Sequence, residues 1–169
     1  VMVYPERMPA LWQRLRRALA QVDLPVGVSQ SICRRLFETG ACRREPLCVY
    51  LSRDTKQFRP AENKTEVRRR LGWPTDGIVA VYVGGLVEGK GIKELAAACE
   101  PLLNEHEDFG LVCVGDGPSR EVLTTLKTRL RRRDAVALAG RVGPDEVPTY
   151  LQAADFLVLP SYSEGMPQV

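Results

Sequence analysis

The second half of the chain alternates short apolar segments with helix-like segments, and every apolar segment leads into a loop that contains glycine. Strands are predicted at residues 78–83, 111–114, 135–139 and 155–159, with helices at 92–104, at about 118–131 and at 145–153. Strands that alternate with helices pair in parallel through right-handed crossovers. We therefore predict an α/β fold with a Rossmann-like, doubly wound parallel sheet. Strand 78–83 should lie between strands 111–114 and 155–159.

The loop after the first of these strands has the composition of an anion site. Four glycines, at positions 84, 85, 89 and 91, surround Lys90 where a helix is predicted to begin. Backbone amides at such a turn bind anions, and lysine adds positive charge. The spacing matches the phosphate loop of nucleoside triphosphatases, except that Gly91 stands in place of the magnesium-binding hydroxyl residue. A phosphate-loop nucleotidase or switch protein, and a tight turn with a solvent-exposed lysine, both stay open.

The loop after the last strand carries a carboxylate and a glycine at the edge where open α/β sheets bind ligands. Glu164 can accept hydrogen bonds from hydroxyl groups, and Gly165 permits close backbone approach. An ordinary strand-to-helix loop is the alternative interpretation of this segment.

Several of these motifs together resemble a known family. Residues Pro160–Pro167, with Ser161, Glu164, Gly165 and Met166 at their expected places, resemble the donor-sugar loop of glycosyltransferase family 4, which are retaining enzymes of GT-B fold. Residues 84–91 resemble that family's G-R-x-x-x-x-K-G pattern, with Lys90 in the lysine place and Gly85 in the arginine place. The segments Gly115–Pro118 and Gly140–Val142 resemble two further loops of the family, and weaker likeness extends back to Val26.

The resemblance implies the donor-nucleotide-binding C-terminal domain of a retaining glycosyltransferase. The donor would be a nucleoside diphosphate sugar, the acceptor a glycan, a lipid or a small alcohol, and neither a metal nor a cofactor is expected. Lys90 and Glu164 would be catalytic. The expected donor-binding residues are Gly84, Gly85, Arg141, Val142, Gly165, Met166 and Pro167. Because Gly85 replaces the arginine, a non-catalytic nucleotide-sugar-binding or scaffold module is a further alternative.

The same resemblance predicts the domain organisation. Residues 1–51 are expected to be the end of an N-terminal acceptor domain with its linker strand, and residues 52–169 a donor-binding domain truncated at its C-terminal end. Because most of the acceptor domain would be missing, the chain alone is not expected to transfer sugar.

Composition narrows the classes of partner. The net charge of +3 comes from arginine clusters at 14–17, 68–70 and 129–133, which we interpret as solvated helix faces. No aromatic residues interleave with them, so nucleic-acid binding is not expected.

The five cysteines form no C-x-x-C pair and His106 is the only histidine, so no metal site is expected. Cys48, Cys99 and Cys113 are interpreted as small core residues. No apolar segment approaches the ~20 residues that span a bilayer. The cytoplasm is the expected location, with peripheral association at the inner membrane face as an alternative for the full-length enzyme.

Overall fold

The computed structural model describes residues 9–169, which divide into two units. The smaller unit comprises residues 9–53 and Ser163–Val169, and the larger unit is Asp54–Tyr162. The assignment of residues 1–51 and 52–169 to acceptor and donor domains stays a prediction.

The smaller unit contains two helices and a short parallel strand pair. Helix α1 is Pro9–Leu19, strand β1 Val26–Gly27, helix α2 Gln30–Glu38 and strand β2 Leu47–Cys48. Helix α2 begins after Ser29, whose hydroxyl accepts a hydrogen bond from the Ile32 amide at 3.3 Å. Trp12 of α1 is buried with Ala41 and Cys42 in a small core.

The larger unit contains the predicted four-stranded sheet. Its elements are α3 Lys64–Leu71, β3 Ile78–Val83, α4 Ile92–Glu105, β4 Phe109–Val114, α5 Arg120–Arg129, β5 Val136–Gly140, α6 Val147–Ala153 and β6 Phe156–Leu157. The strand order is β5-β4-β3-β6, and every neighbouring pair is parallel. This confirms the predicted fold class and the central place of β3. It follows that the loops after all four strands leave the same edge of the sheet.

Two layers of helix enclose β3. Helices α4 and α5 cover one face with a continuous apolar core in which Tyr82, Leu111 and Leu123 are fully buried. Val79 and Val81 alternate to the opposite face and are also buried, and α6 packs against β3 while α3 packs against α6. An apolar strand buried on both faces explains the unbroken apolar run in its sequence.

The interpretation of the second arginine cluster as a solvated helix face is wrong at Arg68. Its side chain is only 4% exposed, and it forms an ion pair with Asp155 at 2.5 Å. The guanidinium also donates to the carbonyl oxygens of Ala153 at 2.8 Å and Gly77 at 3.0 Å. Its neighbour Arg69 has the expected exposure of 65%. The cluster therefore contains one buried residue, Arg68, which connects α3 to the residues that precede β3 and β6.

Within residues 9–169, no helix combines the length and the apolar character that crossing a bilayer requires.

Candidate functional site

Backbone hydrogen bonds fasten the loops after β3, β4 and β5 into one row at the carboxyl edge of the sheet. The Gly84 amide donates to the Val114 carbonyl at 2.9 Å, and the Gly115 amide donates to the Gly140 carbonyl at 2.7 Å. The Leu86 amide donates to the carbonyl of Asp116 at 3.0 Å. These contacts hold three glycine-containing loops in fixed register, so the edge is a preformed surface rather than a set of independent loops.

Gly115 shows why this row needs glycine. Its φ is +137°, and a Cβ placed there would lie 1.9 Å from the carbonyl oxygen of Gly84. Any side chain would push the loops after β3 and β4 apart. The close approach of the two loops therefore depends on the missing Cβ atom.

Lys90 lies on a single 3₁₀ turn, Glu88–Lys90, directly before α4. Gly91 then takes the left-handed conformation, with φ +68°, and helix α4 begins at Ile92. The first amides of an α-helix have no partner inside the helix and carry the positive end of its dipole. The structure thus places the half-buried Lys90 beside a helix N-terminus, as the glycine spacing predicts.

The loop after β6 is fastened to this turn. The Tyr162 amide donates to the Gly89 carbonyl at 3.1 Å, and the Tyr162 hydroxyl donates to the carboxylate of Glu94 on α4. That hydrogen bond lowers the pKa of Glu94 below its ordinary value. Neither residue was predicted, because an exposed tyrosine and a helical glutamate 68 positions away carry no sequence signal that links them.

Ser161, one residue earlier, adds an unsatisfied group to the same loop. Its hydroxyl oxygen is buried and has no hydrogen-bond partner among the described residues. Buried polar atoms in folded proteins are nearly always paired. This hydroxyl therefore keeps unused hydrogen-bonding capacity next to the Tyr162 contacts.

Arg141 and Val142 lie where the sequence predicts, immediately after Gly140 at the end of β5. Gly140 has φ +76°, which turns the chain away from the sheet. Arg141 is exposed and Val142 is half-buried. The larger unit therefore brings together Gly84, Gly85, Lys90, Arg141 and Val142 on loops of one sheet edge.

The other four predicted residues, Glu164, Gly165, Met166 and Pro167, belong to the smaller unit. Gly165 packs against the start of α2, where a Cβ atom would lie 2.9 Å from Cδ1 of Ile32 and 3.6 Å from Cγ2 of Val28. Glu164 is half-buried there. The Arg53 Nε donates to the Gln168 carbonyl oxygen at 2.7 Å, which fastens the end of this segment.

No cluster of three or more histidine, cysteine, aspartate or glutamate side chains suited to a metal ion occurs among residues 9–169.

Comparison with known proteins identifies curated relatives of this chain. The chain is 37% identical over 174 residues to the "Putative teichuronic acid biosynthesis glycosyltransferase TuaC" of Bacillus subtilis (strain 168), covering all of this chain and 40% of the relative. It is 34% identical over 118 residues to the D-inositol 3-phosphate glycosyltransferase of Streptomyces scabiei (strain 87.22), covering 64% of this chain and 26% of the relative. The chain thus spans less than half the length of these curated relatives.

Solved structures share the fold. A sucrose-phosphate synthase from Thermosynechococcus elongatus superposes with a TM-score of 0.79 at 21% identity, over 99% of this chain and 42% of that chain. Anabaena HepE, crystallised in complex with UDP, superposes with a TM-score of 0.79 at 20% identity, over 96% of this chain and 45% of that chain.

A family model described as "Glycosyl transferases group 1" matches residues 63–169, which include the whole sheet and every predicted site residue. Its α/β architecture matches that of GT-B glycosyltransferases. The chain therefore belongs to the group 1 glycosyltransferases.

Proposed function

We propose that this chain is the donor-binding half of a retaining glycosyltransferase that takes a nucleoside diphosphate sugar. The observation that carries the proposal is the row of fastened glycine loops with Lys90 at a helix N-terminus, in a chain of the group 1 family. That HepE, with the same fold, binds UDP supports a nucleotide donor.

Departure of the diphosphate is the step for which the larger unit is best equipped. Breaking the bond from the sugar to the diphosphate leaves negative charge on the phosphate oxygens, and preorganised donors that face this charge lower the barrier. Lys90 and the backbone amide of Gly85 supply such donors. Gly85 contributes only its amide where the family pattern has an arginine, so Lys90 carries the side-chain charge of the clamp.

The remaining residues would bind the rest of the donor. Glu164 accepts hydrogen bonds from the sugar hydroxyls, and the backbone of Gly165, Met166 and Pro167 lies against the donor. The backbone around Arg141 and Val142 contacts the nucleotide base. No metal or cofactor takes part in this proposal.

The whole enzyme would transfer the sugar to a glycan, a lipid or a small alcohol held by an acceptor domain. Catalysis requires both reactants in one geometry, so the 169-residue chain alone should bind donor without turning it over. A cytoplasmic enzyme that associates peripherally with the inner membrane face fits this proposal.

Thermal shift with a panel of nucleoside diphosphate sugars, with and without magnesium, tests the proposal. Because ligand binding to the folded state raises the melting temperature by mass action, binding is detected even without turnover. We expect stabilisation by at least one nucleoside diphosphate sugar that does not need magnesium. Stabilisation by nucleoside triphosphates only with magnesium would instead establish the phosphate-loop nucleotidase, and no stabilisation by any nucleotide would overturn the proposal.

Two variants test separately the binding of the sugar and the binding of the diphosphate. Glu164→Ala should weaken the nucleoside diphosphate sugar by ~1–3 kcal/mol, the value of hydrogen bonds to a charged acceptor, and spare the bare nucleoside diphosphate. Lys90→Ala should weaken both ligands by ~1–3 kcal/mol, because both contain the diphosphate. Isothermal titration of both variants with both ligands makes the comparison. Equal weakening of both ligands by Glu164→Ala would remove its assignment to the sugar.

A non-catalytic nucleotide-sugar-binding module is the second candidate, favoured by Gly85 in the arginine place. Among the described residues, no atom lies within 4 Å of the place that a Cβ atom on Gly85 would occupy, so the position has room for a longer residue. Gly85→Arg should therefore raise diphosphate affinity if the clamp is only half formed. Turnover by the full-length protein with Gly85 unchanged would exclude the non-catalytic module.

A further inference from the structure

Two cysteines of the smaller unit are brought together by a glycine. In the parallel β1–β2 pair, Gly27 lies directly opposite Cys48. A Cβ atom on Gly27 would be only 2.5 Å from Sγ of Cys33, which lies on α2. The sulfur of Cys33 thus occupies the space that a side chain at position 27 would fill. Since paired residues on adjacent strands project to the same face, this space lies beside the side chain of Cys48.

The two thiols interact and differ in their access to solvent. Cys33 is 5% exposed and Cys48 is half-buried. Burial raises the pKa of Cys33, and the neighbouring Cys48 thiol, which lies within hydrogen-bonding reach, raises it further. The exposed Tyr50 hydroxyl also lies within hydrogen-bonding reach of Cys48. Cys48 is therefore the thiol that a dissolved oxidant meets first, and Cys33 lies behind it.

We propose that Cys33 and Cys48 are a redox-responsive dithiol, a modification site that closes to an intramolecular disulfide in the presence of a peroxide. A disulfide needs Cα atoms within about 7 Å and Cβ atoms that face each other. The packing of α2 on β1 and β2, with glycine at position 27, brings the two thiols next to each other.

The reaction balances with hydrogen peroxide as the oxidant. The Cys48 sulfur attacks one peroxide oxygen, the O–O bond breaks, and the products are a sulfenic acid on Cys48 and one water molecule. The Cys33 sulfur then attacks the sulfenic sulfur, the S–S bond forms, and the hydroxyl group leaves with the Cys33 proton as a second water. Two thiols lose two electrons in total, and the peroxide is reduced to two waters.

The pair is connected to the segment that contains Glu164. Ile32 precedes Cys33 on α2, and its Cδ1 is the nearest atom to the Cβ position of Gly165. Closing the disulfide draws the first turn of α2 towards β2. We therefore expect oxidation to change the packing of Ser163–Val169 on that helix. This consequence does not depend on what the protein binds.

The test treats the folded 169-residue chain with hydrogen peroxide and then removes the peroxide. The chain is next unfolded in urea, its remaining thiols are alkylated, and the cysteines are mapped by mass spectrometry. We expect a peptide pair linked through Cys33 and Cys48, with Cys42, Cys99 and Cys113 alkylated. Treatment with dithiothreitol should restore both thiols. Hydrogen–deuterium exchange in residues 163–169 should change on oxidation and return to its original rate on reduction.

Matched variants decide the outcome. Cys42→Ser, at another buried cysteine of the same unit, should leave the linked peptide pair unchanged, whereas Cys48→Ser should abolish both the link and the exchange response. Circular dichroism checks that both variants fold. Oxidation of Cys48 beyond sulfenic acid with Cys33 still alkylatable would overturn the proposal, as would a bridge to a different cysteine.

Discussion

Arg68 binds acceptors on three separate segments of the larger unit. Its guanidinium donates to the Ala153 carbonyl at the end of α6, to the Gly77 carbonyl before β3 and to the carboxylate of Asp155 before β6. Arginine suits this position because its planar group carries five donors in a fixed fork, whereas lysine carries one compact ammonium. The residue thus acts as a buried connector of α3 to the sheet.

We expect Arg68→Lys to destabilise the larger unit by about 2–4 kcal/mol, because one ammonium leaves buried carbonyl groups unpaired. Arg69→Lys is the matched control: its side chain is 65% exposed and pairs with Glu66 on the helix surface, so the change should cost less than about 0.5 kcal/mol. Urea unfolding followed by circular dichroism measures both variants. Equal stability of the two would show that the Arg68 hydrogen bonds contribute nothing net.

Position 91 requires glycine because of its backbone conformation and its close contact with Pro160. Its φ is +68°, and a Cβ atom would lie 2.1 Å from the Pro160 carbonyl oxygen, which belongs to the loop after β6. We expect Gly91→Ala to destabilise the unit by about 2–4 kcal/mol, from left-handed strain and from the displaced Pro160. Urea unfolding again provides the measurement.

Gly89→Ala is the control for that substitution. Within residues 9–169, no atom lies within 4 Å of its Cβ position, and its φ is not positive, so we expect a change below about 0.5 kcal/mol. A comparable loss at both positions would mean that the turn tolerates no side chain for a reason other than the Pro160 contact.

At the scale of elements, hydrogen bonds join the loop after β6 to the turn before α4. Strand β6 is only two residues long, so its loop is positioned mainly by what it contacts. The amide of Tyr162 and its hydroxyl contact Gly89 and Glu94, which lie on either side of Lys90. Whatever orders this loop therefore also orders the turn that presents Lys90.

Tyr162→Phe keeps the ring and the amide contact with Gly89 but removes the hydroxyl donor to Glu94. We expect faster hydrogen–deuterium exchange in residues 87–91 and in the loop 160–162, because the loop then keeps its attachment to Gly89 but loses the one to Glu94. Glu94→Gln is the conservative companion: its amide oxygen still accepts from the tyrosine, so exchange should rise less. Unchanged exchange in Tyr162→Phe would mean that the amide contact alone orders the loop.

At the scale of the whole larger unit, stability should depend on pH through Asp155. Burial raises the pKa of this carboxyl, but hydrogen bonds from Lys64, the Val79 amide and Arg68 outweigh it and lower the pKa to about 2. A carboxyl whose pKa is lower in the folded state stabilises the fold above the unfolded-state pKa of about 3.9. That contribution is lost as the pH falls from about 4 towards 2.

We expect Asp155→Asn to destabilise the unit at pH 7 by roughly 1–2 kcal/mol. The loss is not larger because the Asp155 side chain is 29% exposed, so that solvent partly screens its charge interactions. The difference from wild type should shrink as the pH approaches 2, where the wild-type carboxyl is itself protonated. Urea unfolding at several pH values measures this. A difference that stays constant across that range would assign the loss to packing rather than to charge.

The amino-acid sequence by itself determined the elements and their order in the larger sheet. Local signals sufficed: apolar runs for the strands, and a glycine in the loop that follows each run. The alternation of strands and helices predicted a parallel sheet with β3 between β4 and β6, and the structure has that order. The glycines and Lys90 likewise located the loops at the sheet edge, because each of these motifs lies within a few consecutive residues.

Only the tertiary structure decided which distant side chains meet. Arg68 is one of three consecutive arginines on a helix, and its burial depends on Asp155, which lies 87 positions later. The contact of Tyr162 with Glu94 and the approach of Cys33 to Cys48 likewise join elements that lie apart in the chain. Periodicity reports which face of an element is buried, but not which polar group lies on the opposing element. Those pairings arise only once the helices have docked on the strands.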